Sequence, residues 1–155
     1  MNIRDLGFDD IEQFRGRAFN LGHLFTKEEL DVLVKNPYWK IRISLCMDNI
    51  PLEKSHVEML SKDNYSKVIV DLINNHPEKL TKEIVDRLIL QDDRSILHAL
   101  AKSTKINFTE NQLNQVSIRE DGQLKDLFID QRRQMIAKNI SCDDAIESKP
   151  RKQSL

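Results

Sequence analysis

A pattern of six apolar columns recurs four times along this chain, at a period of about 28 residues. The copies begin at Phe25, Leu52, Leu80 and Phe108. The second column reads Leu30, Val57, Val85, Leu113. The third reads Leu33, Leu60, Leu88, Val116. The fourth reads Ile41, Val68, Ile96, Leu124. The last two read Leu45, Leu72, Leu100, Phe128 and Cys46, Ile73, Ala101, Ile129. Every cell is apolar in a chain that is only 39% hydrophobic. A repeat at fixed period means that each unit buries its apolar face against its neighbours, which is how solenoids are built.

Within a copy the apolar positions fall three, four or five residues apart. That spacing lines one face of an α-helix and predicts two short helices per copy, A then B. Thr26, Thr81 and Thr109 hold one phase, where each can cap the start of helix A. Glu29 and Gln112 complete capping boxes with Thr26 and Thr109, whereas Ile84 leaves Thr81 without that partner. Glu53 takes the same place in the second copy, where a carboxylate suits a helix N-terminus. Asn36-Pro37, Asp63, Asp92 or Asp93, and Asp121 mark the starts of the B helices. Proline in Asn49-Ile50-Pro51 and His76-Pro77 stops helix continuation between copies.

Ahead of the first copy, Asp9 or Asp10 precedes Ile11, Phe14 and Ala18 or Phe19. This segment is expected to be a half-repeat cap, ended by Gly22. After the last copy, Leu124, Leu127, Phe128, Met135 and Ile136 predict a long C-terminal helix reaching about Asn139. The expected fold is an all-α solenoid in one domain over 1–140, with repeats near 25–51, 52–79, 80–107 and 108–135. A disordered polar tail is expected over 141–155.

The motifs resemble those of the HEAT-like superfamily, and in particular the bacterial leucine-rich repeat variant. The resemblance rests on Asn36-Pro37-Tyr38-Trp39-Lys40-Ile41-Arg42 and on Asp63 through Val68. It also rests on Asp92 or Asp93 through Ile96, and on the helix openings Phe25-Thr26-Lys27-Glu28 and Leu80-Thr81-Lys82-Glu83. The repeated Arg is replaced by Ile69 and Leu97 in the second and third copies. The resemblance implies a right-handed superhelix that binds partners and has no shared active site.

Charge narrows the function further. With 24 basic and 25 acidic residues, net charge is -1, so no global field draws the chain to nucleic acid or anionic membrane. Four histidines, His23, His56, His76 and His98, show no metal-ligand spacing and are expected at the surface or as caps. No phosphate loop, nucleophile elbow or Cys-His constellation is present, so no catalysis and no cofactor are expected. Cys46 lies in a core column, and Cys142 lies in the tail. Two such cysteines form no disulfide framework and suit a reducing, cytoplasmic setting. The N-terminus has no apolar signal segment, and no run is long enough to span a membrane.

What the columns leave over is short. Tyr38, Trp39 and Tyr65 cluster at the starts of the first two B helices, beside Lys40 and Arg42. They either cover the inter-helix turns or form a protein-binding hot spot, since Trp, Tyr and Arg dominate such spots. The basic residues Lys40, Arg42, Lys67, Arg94 and Lys125 offer an alternative, a ladder for nucleic acid extended by Arg132, Arg133 and Lys138. Acids at Asp48, Asp71, Asp126 and Asp130 interleave with that ladder, whereas a nucleic-acid footprint has one sign. The expectation is a protein-binding scaffold of adaptor, inhibitor or immunity type. Its partner-binding residues are Tyr38, Trp39, Lys40, Arg42, Tyr65, Lys67 and Arg94.

Overall fold

The computed structural model describes residues 10–117, 126–133 and 136–137, and among them every regular element is helical. The chain divides into two compact units, 1–106 and 107–155, and the division falls where the third copy gives way to the fourth. The first unit holds α1 (Ile11–Leu21), α2 (Lys27–Leu33), α3 (Trp39–Ser44), α4 (Lys54–Leu60), α5 (Ser66–Asn75), α6 (Lys82–Leu90) and α7 (Arg94–Lys102). The second holds α8 (Glu110–Ser117) and a helical run over 126–133.

These helices are six to eleven residues long, too short to persist alone in water, so packing must hold them. The apolar columns supply that packing. Leu124 lies outside the described residues, Leu80 and Ile129 are half-buried, and every other column residue is buried. Each buried Leu, Ile or Val contributes roughly 2 kcal/mol of transfer free energy. In the first unit α1 packs on α3, α3 on α5, and α5 on α7, while α4 packs on α5 and α6 on α7. In the second, Phe108 meets Phe128 edge to face at 5.3 Å.

The A helices begin as their sequences require. Thr26 Oγ1 accepts from the Glu29 N–H at 3.2 Å, and the Thr26 N–H donates to Glu29 Oε2 at 3.0 Å. Thr109 and Gln112 repeat this reciprocal pair, whereas Thr81 only accepts from the Ile84 N–H. In the second copy His56 fills the partner's place: the Glu53 N–H donates to its Nδ1 at 3.0 Å.

Two local expectations change, and the choice between Asp92 and Asp93 is resolved. Pro37 is not the first residue of its helix, because α3 begins at Trp39 with Tyr38 at the N-cap. Asn36 Oδ1 instead accepts from the Tyr38 N–H at 2.9 Å, an Asx turn that Asp63 repeats with the Tyr65 N–H. Asp93 caps α7 directly through the Ser95 and Ile96 N–H groups, while Asp92 takes φ 58°, the left-handed region that Asp tolerates. Gly22 does follow α1, yet its backbone is right-handed, at φ -59°. Its lack of a Cβ matters for another reason: a Cβ would overlap Ile50 Cδ1 and stand 3.0 Å from Asn49 Nδ2.

Two histidines are buried, and His56 is one of the expected caps. His56 Nδ1 accepts a backbone proton, so its Nε2 carries the hydrogen, which it donates to Asp31 at 2.9 Å. His76 reaches back to the Met47 carbonyl at 2.9 Å. Burial, together with nearby Lys79, pushes the His76 pKa below its ordinary value. The expected C-terminal helix is described over 126–133 and 136–137, which are helical, while its other residues, the Asp121-Gly122 turn, Cys142 and the polar tail fall outside the described residues.

Candidate functional site

The two Asx turns place Tyr38 and Tyr65 at the N-caps of α3 and α5, one residue before the helix proper. Trp39 opens α3 and reaches the neighbouring copy, where its ring stacks on Tyr65 at 5.5 Å and 21°. Trp39 is half-buried, and Tyr65 is 50% exposed. Lys40 Nζ lies 6.0 Å from the Trp39 ring centroid, within cation–π range. An aromatic pair left partly open to solvent beside a cation is the composition of a protein-binding centre.

Trp39 also lines a cavity of about 290 Å³ formed by α1, α3, the bend after α3 and α5. Trp39, Ile43 and Met47 give it apolar surface. Arg15, Lys40 and Lys67 bring positive charge, and Glu12 and Asp71 bring negative charge. Lys67 Nζ lies 3.8 Å from Asp71, and Arg15 lies 3.5 Å from Glu12. The helical period explains the gathering. Trp39 and Ile43 are spaced by four on α3, and so are Lys67, Asp71 and Asn75 on α5, so each set lies along one face, while Met47 joins from the bend after α3.

Arg42 behaves differently from its neighbours. Its Nε and one terminal nitrogen clasp both Asp63 oxygens, at 2.5 and 2.9 Å. Its other nitrogen donates to the Asn36 and Pro37 carbonyls. The hydrogen bond to Asp63 raises the Arg42 pKa further above its ordinary value. The Arg42 side chain is only 13% exposed, and its donors tie the start of α3 to the turn before α5. Arg42 therefore holds together the two turns that lead into Trp39 and Tyr65.

Of the seven residues singled out from sequence, Trp39, Lys40 and Lys67 line the cavity, and Tyr65 stacks on one of them. Tyr38 is exposed at the N-cap of α3, outside the lining, and Arg94 is exposed at the start of α7. Sequence reasoning passed over Glu12, Arg15, Ile43 and Met47, whereas Asp71 was expected among the acids that interleave with the cations. A signal did exist for Ile43 and Met47: both are apolar and lie outside the six columns, and Ile43 shares a face of α3 with Trp39.

The remaining polar contacts join successive copies. Arg87 pairs with Glu58 at 3.1 Å and donates to Ser61 Oγ at 2.6 Å. Ser66 Oγ donates to Asp93 at 2.6 Å, and Lys27 pairs with Glu53 at 2.7 Å. Hydrogen bonds from Lys62 and Arg87 hold Glu58 below its ordinary pKa. In the second unit, Arg132 pairs with Glu110 and Arg133 with Asp130. Cys46 is buried and unbonded to any other cysteine, and burial pushes its thiol pKa far up, which removes nucleophilic character. Among the described residues, no group of three or more His, Cys, Asp or Glu could hold a metal ion. Nor, among them, is any helix long and apolar enough to cross a membrane. No family model, curated protein or solved structure matches this chain.

Proposed function

We propose that this chain is a small HEAT-like solenoid that binds another protein through the α3–α5 face and acts by occlusion, as an adaptor, inhibitor or immunity-type protein in the cytoplasm. The observation that carries this reading is the Trp39–Tyr65 stack, partly open to solvent, between two helix starts that Arg42 and Asp63 tie together. Rigid, half-exposed aromatic side chains lose little entropy on binding and anchor interfaces well. A face running along several copies can offer about 800 Å² to a partner. Nucleic acid is the weaker alternative, because Glu12 and Asp71 sit among the cations of the same face. Phosphate binding favours a surface of one sign.

Capture from a host lysate on immobilised chain tests this, at low and high salt and with nuclease. The partner should survive nuclease and high salt on the wild type. It should be lost from a Trp39→Ala/Tyr65→Ala double variant whose Tm falls by only a few degrees. Loss on nuclease treatment, or a steep fall with salt, would favour the nucleic-acid alternative. Equal recovery on the double variant would remove this face from the interface.

A further inference from the structure

We propose that a second pocket of the first unit, at the C-terminal ends of α5 and α7, binds a phosphate group, either free inorganic phosphate or the phosphate of a small monoester. It shares no residue with the cavity at Trp39 and does not rest on the protein-binding reading.

The pocket has a volume of about 220 Å³ and is lined by Asn74, Pro77, Lys102, Ser103, Thr104 and Lys105. Asn74 lies in the last turn of α5, Pro77 opens the short turn Pro77–Lys79, and Lys102 ends α7. The helix stops because Ser103 is extended, at ψ 114°, while its N–H still donates to the Leu100 carbonyl at 3.1 Å. Thr104 and Lys105 form the turn that follows.

Donors dominate this lining. Lys102 and Lys105 bring two ammonium groups, Thr104 a hydroxyl and Asn74 a carboxamide. Among the described residues, none of these four side chains has a hydrogen-bond or ion-pair partner. The backbone N–H groups of Thr104 and Lys105 have no acceptor there either. Ser103 already has a partner and is not needed. Among the described residues no carboxylate lines the pocket, and Glu78, the neighbour of Pro77, is exposed outside it. In the cavity at Trp39, by contrast, Glu12 and Asp71 stand among the cations.

Helix C-termini disfavour an anion, so magnitudes decide the sign. Each carries about half a negative charge, roughly one for the two helices. Lys102, in the last turn of α7, offsets that charge. Lys105, beyond the helix, makes the site positive. A phosphate dianion accepts hydrogen bonds through three or more oxygens and suits a lining of donors. The volume falls below the range for small-molecule sites, roughly 300–1,000 Å³, so the pocket holds the phosphate and little of what carries it. Asn74, Lys102, Thr104 and Lys105 are exposed, so binding is weak, with Kd on the order of 1 mM.

The test is a titration of the full chain at pH 8, where phosphate is a dianion, at one ionic strength and followed by backbone amide NMR. Inorganic phosphate and glycerol 3-phosphate are the probes, and sodium chloride is the control. Both probes should give saturable shifts at the Thr104 and Lys105 amides, and chloride none. Tighter binding of glycerol 3-phosphate would identify a monoester as the ligand, and tighter binding of inorganic phosphate the free ion. Lys105→Gln should weaken binding about threefold to fivefold, and Lys102→Gln/Lys105→Gln roughly tenfold or more. Both lysines are exposed, so Tm should stay within a few degrees of wild type. Thr104→Val leaves the charge unchanged and should weaken binding about threefold, which diffuse attraction to the lysines would not explain.

Shifts that grow linearly and equally with chloride would overturn the proposal. Phosphate binding unchanged in the double variant would overturn it as well. Neither result touches the protein-binding reading, which Trp39 tests separately.

Discussion

The junction between α3 and α5 and the junction between α5 and α7 occupy equivalent places in the repeat, yet they are built from different chemistry. At the first, Arg42 clasps Asp63, Trp39 stacks on Tyr65, and the cavity opens beside them. At the second, the residues in the phase of Arg42 are Ile69 and Leu97, both buried, and one neutral hydroxyl, Ser66, reaches Asp93. Both junctions join helices of similar register, so the fold does not require the polar version. An ion pair with both partners nearly buried costs desolvation that an apolar pair avoids. The polar junction coincides with the exposed aromatic pair, which suggests a reason for keeping it: bidentate geometry fixes the start of α3 against the start of α5 more tightly than apolar contact does.

The largest expected effect breaks that ion pair from one side. Asp63 is 4% exposed at its side chain, and Asp63→Ala leaves the Arg42 charge buried without its carboxylate and frees the Tyr65 N–H. Chemical denaturation should show a loss of about 3 kcal/mol. The paired change Arg42→Leu/Asp63→Asn imitates the second junction and keeps an acceptor for Tyr65. It should recover to within about 1 kcal/mol of wild type. A double variant no better than Asp63→Ala would show that the first junction cannot be made apolar. In the second junction, Ile69→Ala should cost about 3 kcal/mol by leaving a cavity. A loss below about 1 kcal/mol there would mean that the helices collapse into the space.

The next effect is smaller because water can repair it. Ser66→Ala removes the hydroxyl that reaches Asp93, which still accepts from two backbone N–H groups and is only half-buried. The cost should be about 1 kcal/mol. The Ser66 hydrogen bond is the foremost cause holding Asp93 below its ordinary pKa. Asp93 thus adds stability above its unfolded pKa, and that stability fades as pH falls through the lower folded pKa. In Ser66→Ala the Asp93 pKa should rise toward its ordinary value, as a carboxyl NMR titration would show. An unchanged titration would assign the depression to the backbone donors.

The same contrast explains what was legible in the sequence. The columns named the buried residues because burial follows the helical period, and that period is local. The caps at Thr26 and Thr109 were legible because both partners lie three residues apart. The cross-copy partners of Arg42, His56 and His76 were not legible, because Asp63, Asp31 and the Met47 carbonyl lie in neighbouring copies, 21 to 29 residues away. A period shows which phase a residue occupies but not what it meets across a junction. Tyr38, Trp39 and Tyr65 were found as the residue of the pattern. The stacking of Trp39 on Tyr65 rather than on Tyr38 depends on the offset between helices.

Acid offers a way to probe both junctions at once. Burial lowers the His76 pKa, so the folded chain prefers neutral His76 while the unfolded chain titrates normally. Between those two values the unfolded state binds more protons. Stability from this group is therefore complete above about pH 6.5 and falls as pH drops below it. His76→Gln, which keeps a donor for the Met47 carbonyl, should flatten this part of the pH profile. A profile that stays equally steep would place the titrating group elsewhere.

The smallest expected effect on stability bears most on function. Trp39 and Tyr65 stack at 5.5 Å, but Tyr65 is half exposed, so their coupling should fall near the low end for aromatic pairs, about 0.5 kcal/mol. A double-mutant cycle with Trp39→Ala and Tyr65→Ala measures it. A coupling of 1.5 kcal/mol or more would mean that the rings hold α3 to α5, and the first junction would then be an aromatic version of the second. A coupling near 0.5 kcal/mol leaves the stack with little structural work, because Arg42 and Asp63 already fix the helices. Two large rings kept partly in water beside a cavity, and not needed for folding, are then best accounted for by what they contact outside the chain.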